Sequence, residues 1–582
     1  MANKKMNRRK FVQQTATGVL GAATLAGCST FSKLVDSRGP AQASVNESNK
    51  YDFIIVGSGA GGGPLAAGLA RAGFSVFLLE AGSKDQTMLS RIPVAHAKAS
   101  EHDDIAWRFF VDRYDKNNPY YTAELNNTKY QKKAVERGDG PVFYPRAAGL
   151  GGCTRMNALI HLYPDYQDWE NLSKKMNGSD IFNPNVMYRT YQGMLASHGG
   201  WLNLHQASPL NLIKDAFLRK MATSAARLDG IGYNLAEKGL FEALNFKLDP
   251  NEIYAGILKN KKNGIFNIPY NATDGIRNGV YEYLLDTEKN SRSKGKLIIQ
   301  SNSLCTKILL SESGDAKKPK ALGIEYIDKP HVYKADARAE QGSASYTKKT
   351  VKANFEVILA GGAFNTPQLL MLSGIGDPKT NTKVDMRVDL PGVGKNLQDR
   401  YEVTVVTELK KPIDLVKDCR FAHGYDLKNS EGKNFDTLGE YIASRPSEKN
   451  GANDVCLENY MHNTKDSSQV YGTNGVAISL IRSSSEKQST PDLCVFGLPG
   501  RFTGYYPGYS NDTTPHLNSN ASEKDKKNYF TWAILKGHTK NKAGEITLKS
   551  NDPRDTPSIN FKYFDQLKQD ESNGDLEDLN AV

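Results

Sequence analysis

Residues 51–80 read YDFIIVGSGAGGGPLAAGLARAGFSVFLLE, and the expected fold follows from that stretch. An apolar run (Phe53, Ile54, Ile55, Val56) breaks at Gly57-Ser58-Gly59-Ala60-Gly61-Gly62, continues as an Ala- and Leu-rich helix and closes in a second strand at 76–79. Strand, glycine turn, helix and strand in that order predict a parallel crossover unit. Gly57 suits the tight turn, Gly59 the close approach of a diphosphate to the backbone, and Gly62 the packing of helix on strand. The helix N-terminus after Ala60 and Gly61 offers free N–H groups and a partial positive charge to the same diphosphate. Glu80, eighteen residues beyond Gly62, ends the second strand. A carboxylate there accepts hydrogen bonds from adenosine ribose hydroxyls and repels a 2′-phosphate, so the stretch favours FAD or NAD over NADP.

A chain of 582 residues exceeds one core and predicts two or more domains. With 39% hydrophobic and 24% charged residues, 51 glycines and 24 prolines, it reads as a loop-rich α/β enzyme. The formal net charge is +11, but Lys4, Lys5, Arg8, Arg9 and Lys10 sit in the expected leader, and removing those five leaves +6. That surplus reads as solvated lysine. No basic stretch is interleaved with aromatics and no repeat is visible, so a nucleic-acid partner is not expected.

The leader carries its own signal. Asn7-Arg8-Arg9-Lys10-Phe11 precedes a mildly apolar stretch ending in Leu25-Ala26-Gly27-Cys28. Twin arginines before a weak apolar region resemble a twin-arginine export signal, and the last four residues resemble a bacterial lipobox whose Cys28 takes the lipid. The alternative is a basic N-terminal segment with a chance Arg-Arg pair. The apolar stretch is too short to span a bilayer. The expectation is a folded, exported lipoprotein anchored on the periplasmic side of the membrane, with residues 29–50 as tether. Cys153, Cys305, Cys419, Cys456 and Cys494 form no CxxC pair and no His/Cys cluster has metal spacing. No metal site is expected, and disulfide pairing is not readable.

Residues 144–169, YPRAAGLGGCTRMNALIHLYPDYQDW, hold a second glycine loop (Gly149, Gly151, Gly152) able to lie against a flat ligand, with Thr154 and Asn157 as further donors. This stretch resembles the first signature of the glucose-methanol-choline (GMC) oxidoreductases. Residues 356–376, EVILAGGAFNTPQLLMLSGIG, resemble the second signature, with Thr366 as expected N-cap, Pro367 at the first helical position and Leu369, Leu370 and Leu372 as an apolar face. Residues 389–399, DLPGVGKNLQD, resemble the family's return loop to the flavin.

The resemblance implies a Rossmann-like FAD-binding domain with an interleaved α+β substrate domain built on an antiparallel sheet. FAD would bind in extended form, its adenosine on Gly57 to Glu80 and its ring under Gly151, Gly152, Thr154, Asn157 and Ala158. The family also implies a backbone contact from Cys305 to the adenine. Met156 stands where some members tether FAD through histidine, so FAD is expected to be non-covalent. The expected layout is a signal at 1–28, a linker at 29–50, and FAD-binding parts at 51–165 and 271–399. A substrate or cap segment takes 166–270, a substrate domain 400–540, and the start of a return segment 541–582. Within these, 185–197 reads as helical and 244–267 as a loop. The stretch 271–285 reads as the resumption of the FAD domain, followed by one strand at 297–310. Residues 329–352 read as a surface hairpin or loop, 403–409, 475–481 and 529–535 as strands, and 427–434 and 510–528 as polar loops.

In the family the proton acceptor is a histidine after the stretch that ends here at Phe564, and the last histidine of this chain is His538. No catalytic residue is therefore assigned. His161, His198, His205 and His538 read as surface or structural residues, and Arg400 departs from the histidine usual after Gln-Asp. Three readings stay open: an incomplete version of a longer enzyme, one half of a split enzyme, or a degenerate flavin binder. A chain cut here is also expected to leave apolar surface beside its final strand. The resemblance implies an FAD-dependent oxidoreductase acting on the CH–OH group of an alcohol, polyol or sterol-like donor. Membrane anchoring favours a dehydrogenase passing electrons to a quinone or cytochrome. The alternative is a catalytically incomplete or split flavin-binding lipoprotein without its own base.

Overall fold

The computed structural model describes residues 50–118, 121, 140–208, 215–228, 250–251, 264–290, 295–312, 319–340, 345–419, 421, 454–466, 469–485, 490–513, 528–564 and 574–582. The expected leader, Cys28, all of the tether but Lys50, and the loop at 427–434 lie outside these residues.

Strands β1 (Lys50–Val56), β2 (Ser75–Leu79), β3 (Lys296–Gln300), β4 (Ser303–Leu310), β5 (Ala321–Asp328) and β6 (Lys348–Leu359) form one sheet in the order β4-β5-β6-β1-β2-β3. β6, β1, β2 and β3 run parallel, and β5 and β4 extend the sheet antiparallel. The apolar run of β1 is buried because both faces of a parallel sheet are covered. On one face, Phe53, Ile55 and Leu78 pack with Ala66 and Ala70 of helix α1 (Gly62–Arg71) and Leu284 of helix α2 (Val280–Lys289). On the other, Ile54, Val56 and Leu79 meet Cys305, Ile308, Ile324 and Leu369, the last from helix α3 (Gly362–Leu372).

Three sequence expectations change here. The single strand expected at 297–310 is two, because Asn302 adopts a left-handed φ of 52° and turns the chain from β3 into β4. Helix α3 starts a turn before Thr366, with Gly361 as N-cap and Pro367 inside. Gly362, at φ 88°, lets the chain pass from β6 straight into the helix. The stretch 329–352 is not a surface excursion: β6 starts at Lys348, and Val332, Tyr333 and Ala335 are core residues. The backbone of that loop is satisfied by neighbours, with Lys334 N–H donating to the Arg554 carbonyl and Arg108 N–H to the Ala335 carbonyl.

A second sheet holds β7 (Glu402–Leu409), β8 (Ile478–Arg482), β9 (Leu493–Leu498), β10 (Asn528–Lys536) and the short strand Gly264–Phe266. Its order is β7-β10-β9-β8 and then Gly264–Phe266, antiparallel throughout. The strands expected at 403–409 and 529–535 are present, and the one expected at 475–481 is shifted to Ile478–Arg482. β9 and Gly264–Phe266 were not anticipated, and the latter falls in the stretch read as a loop. The helical pattern near 185–197 is the helix Pro184–Met194, with Pro184 at its first turn and the Asn183 side chain accepting the Asn185 N–H.

A disulfide joins Cys419 to Cys456 across 37 residues. The hairpin Glu545–Thr547 with Ser558–Asn560 is well covered, Ile546, Ile559 and Phe561 each being 2% exposed. Among the described residues the apolar side chains of this final strand are covered rather than bare, because Phe109, Phe364 and Tyr401 pack into the same cluster. The helix Gly574–Ala581 docks through a fully buried charge cluster in which Lys536 Nζ lies 3.0 Å from Asp492 and 3.6 Å from Asp578.

Candidate functional site

Gly57 turns at φ 98°, and a Cβ there would lie 2.4 Å from the Ala360 carbonyl oxygen. A Cβ on Gly62 would lie 2.0 Å from the Gly57 oxygen, so helix and strand meet at contact distance. At Gly59 the nearest atom to such a Cβ is 3.9 Å away, and at Gly61 none lies within 4 Å. The turn is thus closed behind and open in front. Gly61, the N-cap of α1, brings no side chain to the first turn; Gly63 N–H donates to the Gly59 carbonyl and Pro64 has no N–H, so the Gly61 and Gly62 N–H groups are the ones left for an anion.

Glu80 is buried just past β2. One carboxylate oxygen accepts the Ser58 N–H at 3.0 Å and the Ser58 hydroxyl at 2.5 Å, and the other accepts the Gly82 N–H at 2.9 Å. Burial pushes its pKa up, and the Ser58 and Gly82 donors oppose that. Cys305, buried on β4, lies two residues past Ser303, whose N–H donates to the Glu80 carbonyl, so it falls at the Glu80 end of the site.

The second glycine loop meets the first. A Cβ on Gly152 would lie 2.6 Å from the Gly59 Cα, and the Gly151 N–H donates to the Ser58 hydroxyl. Thr154 and Asn157 mainly hold the loop itself. The Thr154 hydroxyl donates to the Gly151 carbonyl at 2.7 Å, and Asn157 Oδ1 accepts from the Arg277 guanidinium at 2.8 Å. Arg277 is buried on the short strand Ile276–Arg277, and desolvation pulls its pKa down to about 9. Arg155 is 2% exposed, donates to the Asp85 carbonyl, and keeps Nε and Nη1 without partners. These orphaned, buried guanidinium donors lie against the second glycine loop, Nη1 being the nearest atom to a Cβ built on Gly149 at 2.3 Å, and suit an anionic group. Arg155 stands in the quoted motif GLGGCTRMN, where an arginine amid small residues was the available signal.

Beyond the loop lies a cavity of about 1150 Å³. Met156, Asn157 and Ala158 line it on one side, and Phe496, Leu498 and Ala533 of the second sheet on the other. Asp399 reaches its wall and accepts hydrogen bonds from the Tyr144 hydroxyl at 3.0 Å and the Tyr563 hydroxyl at 2.8 Å. Glu402 is open to the cavity but walled in by its neighbours. Desolvation and the Asp399 carboxylate push its pKa up to about 7. His96, on the short helix His96–Ala99, also lines the cavity. Burial and the Arg277 charge push it down to about 4.

The four histidines weighed from the sequence lie outside that wall. His161 is stacked on Tyr191 and desolvated, His198 and His205 belong to the 166–270 segment, and His538 pairs with Asp168 at 2.9 Å. Arg400 lines the cavity beside Asp399. Asp399 closes the return-loop motif 389–399, whereas His96, Glu402 and Arg277 stand in no spaced motif and carry no sequence signal.

A family model described as GMC oxidoreductase matches residues 51–402. The chain belongs to the GMC oxidoreductase family. It is 28% identical to the ecdysone oxidase of Bombyx mori over 391 residues, covering 64% of this chain and 48% of that protein. It is 29% identical to the mitochondrial choline dehydrogenase of Homo sapiens over 395 residues, covering 65% and 55%. The chain thus spans about half the length of the curated relatives it matches. A formate oxidase structure superposes with a TM-score of 0.58 at 17% identity over 92% of this chain and 79% of that one, which shows the shared fold. As a GMC oxidoreductase the chain is a flavoprotein whose cofactor is FAD. The open face of Gly59, the uncapped start of α1 and the orphaned Arg155 donors are what that cofactor requires of the protein.

Proposed function

We propose that this GMC protein oxidises the CH–OH group of an alcohol, polyol or sterol-like donor, as a dehydrogenase rather than an oxidase. The observation that carries the reading is the cavity bounded by Asn157 and Ala158 directly beyond the joined glycine turns. Gly57, Gly59, Ala60, Gly61 and Gly62 would hold the diphosphate, Glu80 the adenosine ribose and the Cys305 backbone the adenine. Gly151, Gly152, Thr154, Asn157 and Ala158 would face the ring, with no covalent link because Met156 offers no nucleophilic nitrogen. Bound there, FAD supplies a two-electron acceptor for hydride from the alcohol carbon. The protein's share is to exclude water with the aromatic wall and to orient the hydroxyl.

The export reading belongs to the same proposal: Arg8-Arg9 as twin-arginine signal, Cys28 as lipid anchor, and a quinone or cytochrome as electron acceptor. The Cys419–Cys456 disulfide supports it, since such bonds persist in oxidising compartments.

The test is anaerobic titration of the FAD-loaded protein with alcohols, followed by the flavin absorbance. Bleaching by an alcohol supports the reading. A yellow protein bleached by none favours the alternative of a flavin-binding lipoprotein without its own base, and a colourless protein that refuses FAD overturns both. Replacing Arg8 and Arg9 by lysine should block export, and Cys28→Ser should release the protein from the membrane.

A further inference from the structure

Of the histidines among the described residues, His96 alone lines the cavity. Its placement follows from its neighbours. Ala95 is 5% and Ala99 0% exposed, and both pack against Met156 in one core cluster, so the short helix is anchored beside the flavin loop. The His96 ring, partly exposed, is left on the cavity side. Arg277 supplies the second link. Its guanidinium holds the Asn157 side chain at 2.8 Å, the Asn157 carbonyl at 2.8 Å and the Thr154 carbonyl at 3.1 Å, and its charge acts on His96. His96 and the loop that lines the cavity are therefore parts of one cluster.

The ring is neutral at ordinary pH, for burial and the Arg277 charge both oppose its protonation. A neutral imidazole has one donor and one acceptor nitrogen. A backbone hydrogen bond with Asn474 favours the protonated ring but only partly offsets those two effects. The acceptor nitrogen of the neutral ring is what the residue can offer to a hydroxyl. Much of the surrounding wall is committed elsewhere: Asp399 to two tyrosine hydroxyls, Tyr509 to Ser100, Asn157 Oδ1 to Arg277.

We propose that His96 accepts the hydrogen bond of the substrate hydroxyl and fixes the alcohol at the Asn157 end of the cavity. This rests on the alcohol-oxidising reading above. His96 is a positioning residue: its role is to hold an O–H group.

The test measures binding rather than turnover, by isothermal titration calorimetry on the full FAD-loaded chain. The probe is 2-phenylpropan-2-ol, a tertiary alcohol with no hydrogen on its carbinol carbon and hence not oxidisable. Its methyl ether keeps the oxygen but lacks the O–H. The expected result is that the alcohol binds about tenfold tighter than the ether, the scale of one neutral hydrogen bond. His96→Phe should erase that preference, and His96→Asn, which retains an acceptor oxygen, should restore part of it. CD and FAD content check that each variant is folded, and the asparagine variant serves if the phenylalanine one is not. Equal binding of alcohol and ether by the unaltered protein, or an unchanged preference in the folded His96→Phe protein, would overturn the proposal. Failure of oxidisable alcohols to bleach the flavin while the alcohol-over-ether preference stands would instead sink the proposed reaction and leave His96 as the hydroxyl-binding residue.

Discussion

The Ser58 hydroxyl accepts the Gly151 N–H at 3.0 Å across 93 residues of sequence. The same hydroxyl donates to Glu80, so one side chain ties the first glycine turn, the end of β2 and the second glycine loop together. Ser58→Ala leaves Glu80 and the Gly151 N–H each short of a buried partner, a loss of about 1–3 kcal/mol. The expected outcome is a lower unfolding midpoint in urea and weaker FAD retention on dilution, read by flavin fluorescence.

Gly62→Ala puts a methyl 2.0 Å from the Gly57 oxygen and 2.8 Å from the Ala360 Cβ. Backbone must move, at a cost of about 1–3 kcal/mol or more. Gly61→Ala, with nothing within 4 Å of its added Cβ, is the matched control. Purification should yield a flavin-poor Gly62 variant with a depressed Tm and a Gly61 variant that stays folded. Equal Tm values for both would contradict the close approach.

Glu402 brings a pH dependence whose sign is fixed by its raised pKa. Between about 4.5, the ordinary glutamate value, and about 7, the folded protein holds a proton that the unfolded chain has lost. The stabilisation is complete below about 4.5 and is lost as pH rises through about 7. Asp399 is the charged neighbour that reinforces the shift. Urea midpoints across pH 4.5 to 7 should therefore fall less steeply in Glu402→Gln than in the unaltered protein.

Removing the Cys419–Cys456 bond frees a loop of 37 residues in the unfolded chain. The chain-entropy account puts the loss at about 4 kcal/mol. Cys419→Ser with Cys456→Ser, or reduction by dithiothreitol, should lower the unfolding midpoint. Phe421, stacked on Tyr471 at 5.0 Å in the cavity wall, should become more accessible to quenching or proteolysis nearby.

Lys536→Met strands two carboxylates, Asp492 and Asp578, in a site where each is at most 4% exposed. Breaking one side of such a buried cluster costs about 3–5 kcal/mol. Hydrogen exchange should speed up first in the helix Gly574–Ala581, which the lysine holds against β10.

The glycine turns were legible in sequence because each glycine answers a local backbone demand, and Gly57, Gly62, Gly151 and Gly152 meet those demands in the structure. The apolar runs of β1, β2, β7 and β10 were legible by periodicity. Tyr333 was not: its polar surroundings in sequence conceal a ring packed on Trp107 and Phe109 with its hydroxyl donating to Gln368. His96, Arg277 and the Asp399–Glu402 stretch converge from three distant segments; Asp399 closes the return-loop motif, but nothing in local spacing marks His96, Arg277 or Glu402. The Cys419–Cys456 pair was unreadable because odd cysteine counts and separations carry no pairing information. Pro367 misled because a proline inside a helix is costly, and only the Gly361-Gly362 turn shows why the helix had already begun.

The central position of β1 has a consequence for biosynthesis. Ile55 pairs with Leu78 on one side and with Ile358 on the other, so its two neighbours leave the ribosome about 280 residues apart. At an elongation rate of about 5–20 residues per second, the first strand waits on the order of tens of seconds with one flank bare. An exposed strand edge of that kind is where chaperones bind and where nascent chains aggregate. Expression yield of this protein should respond to chaperone supply more than to any single surface residue.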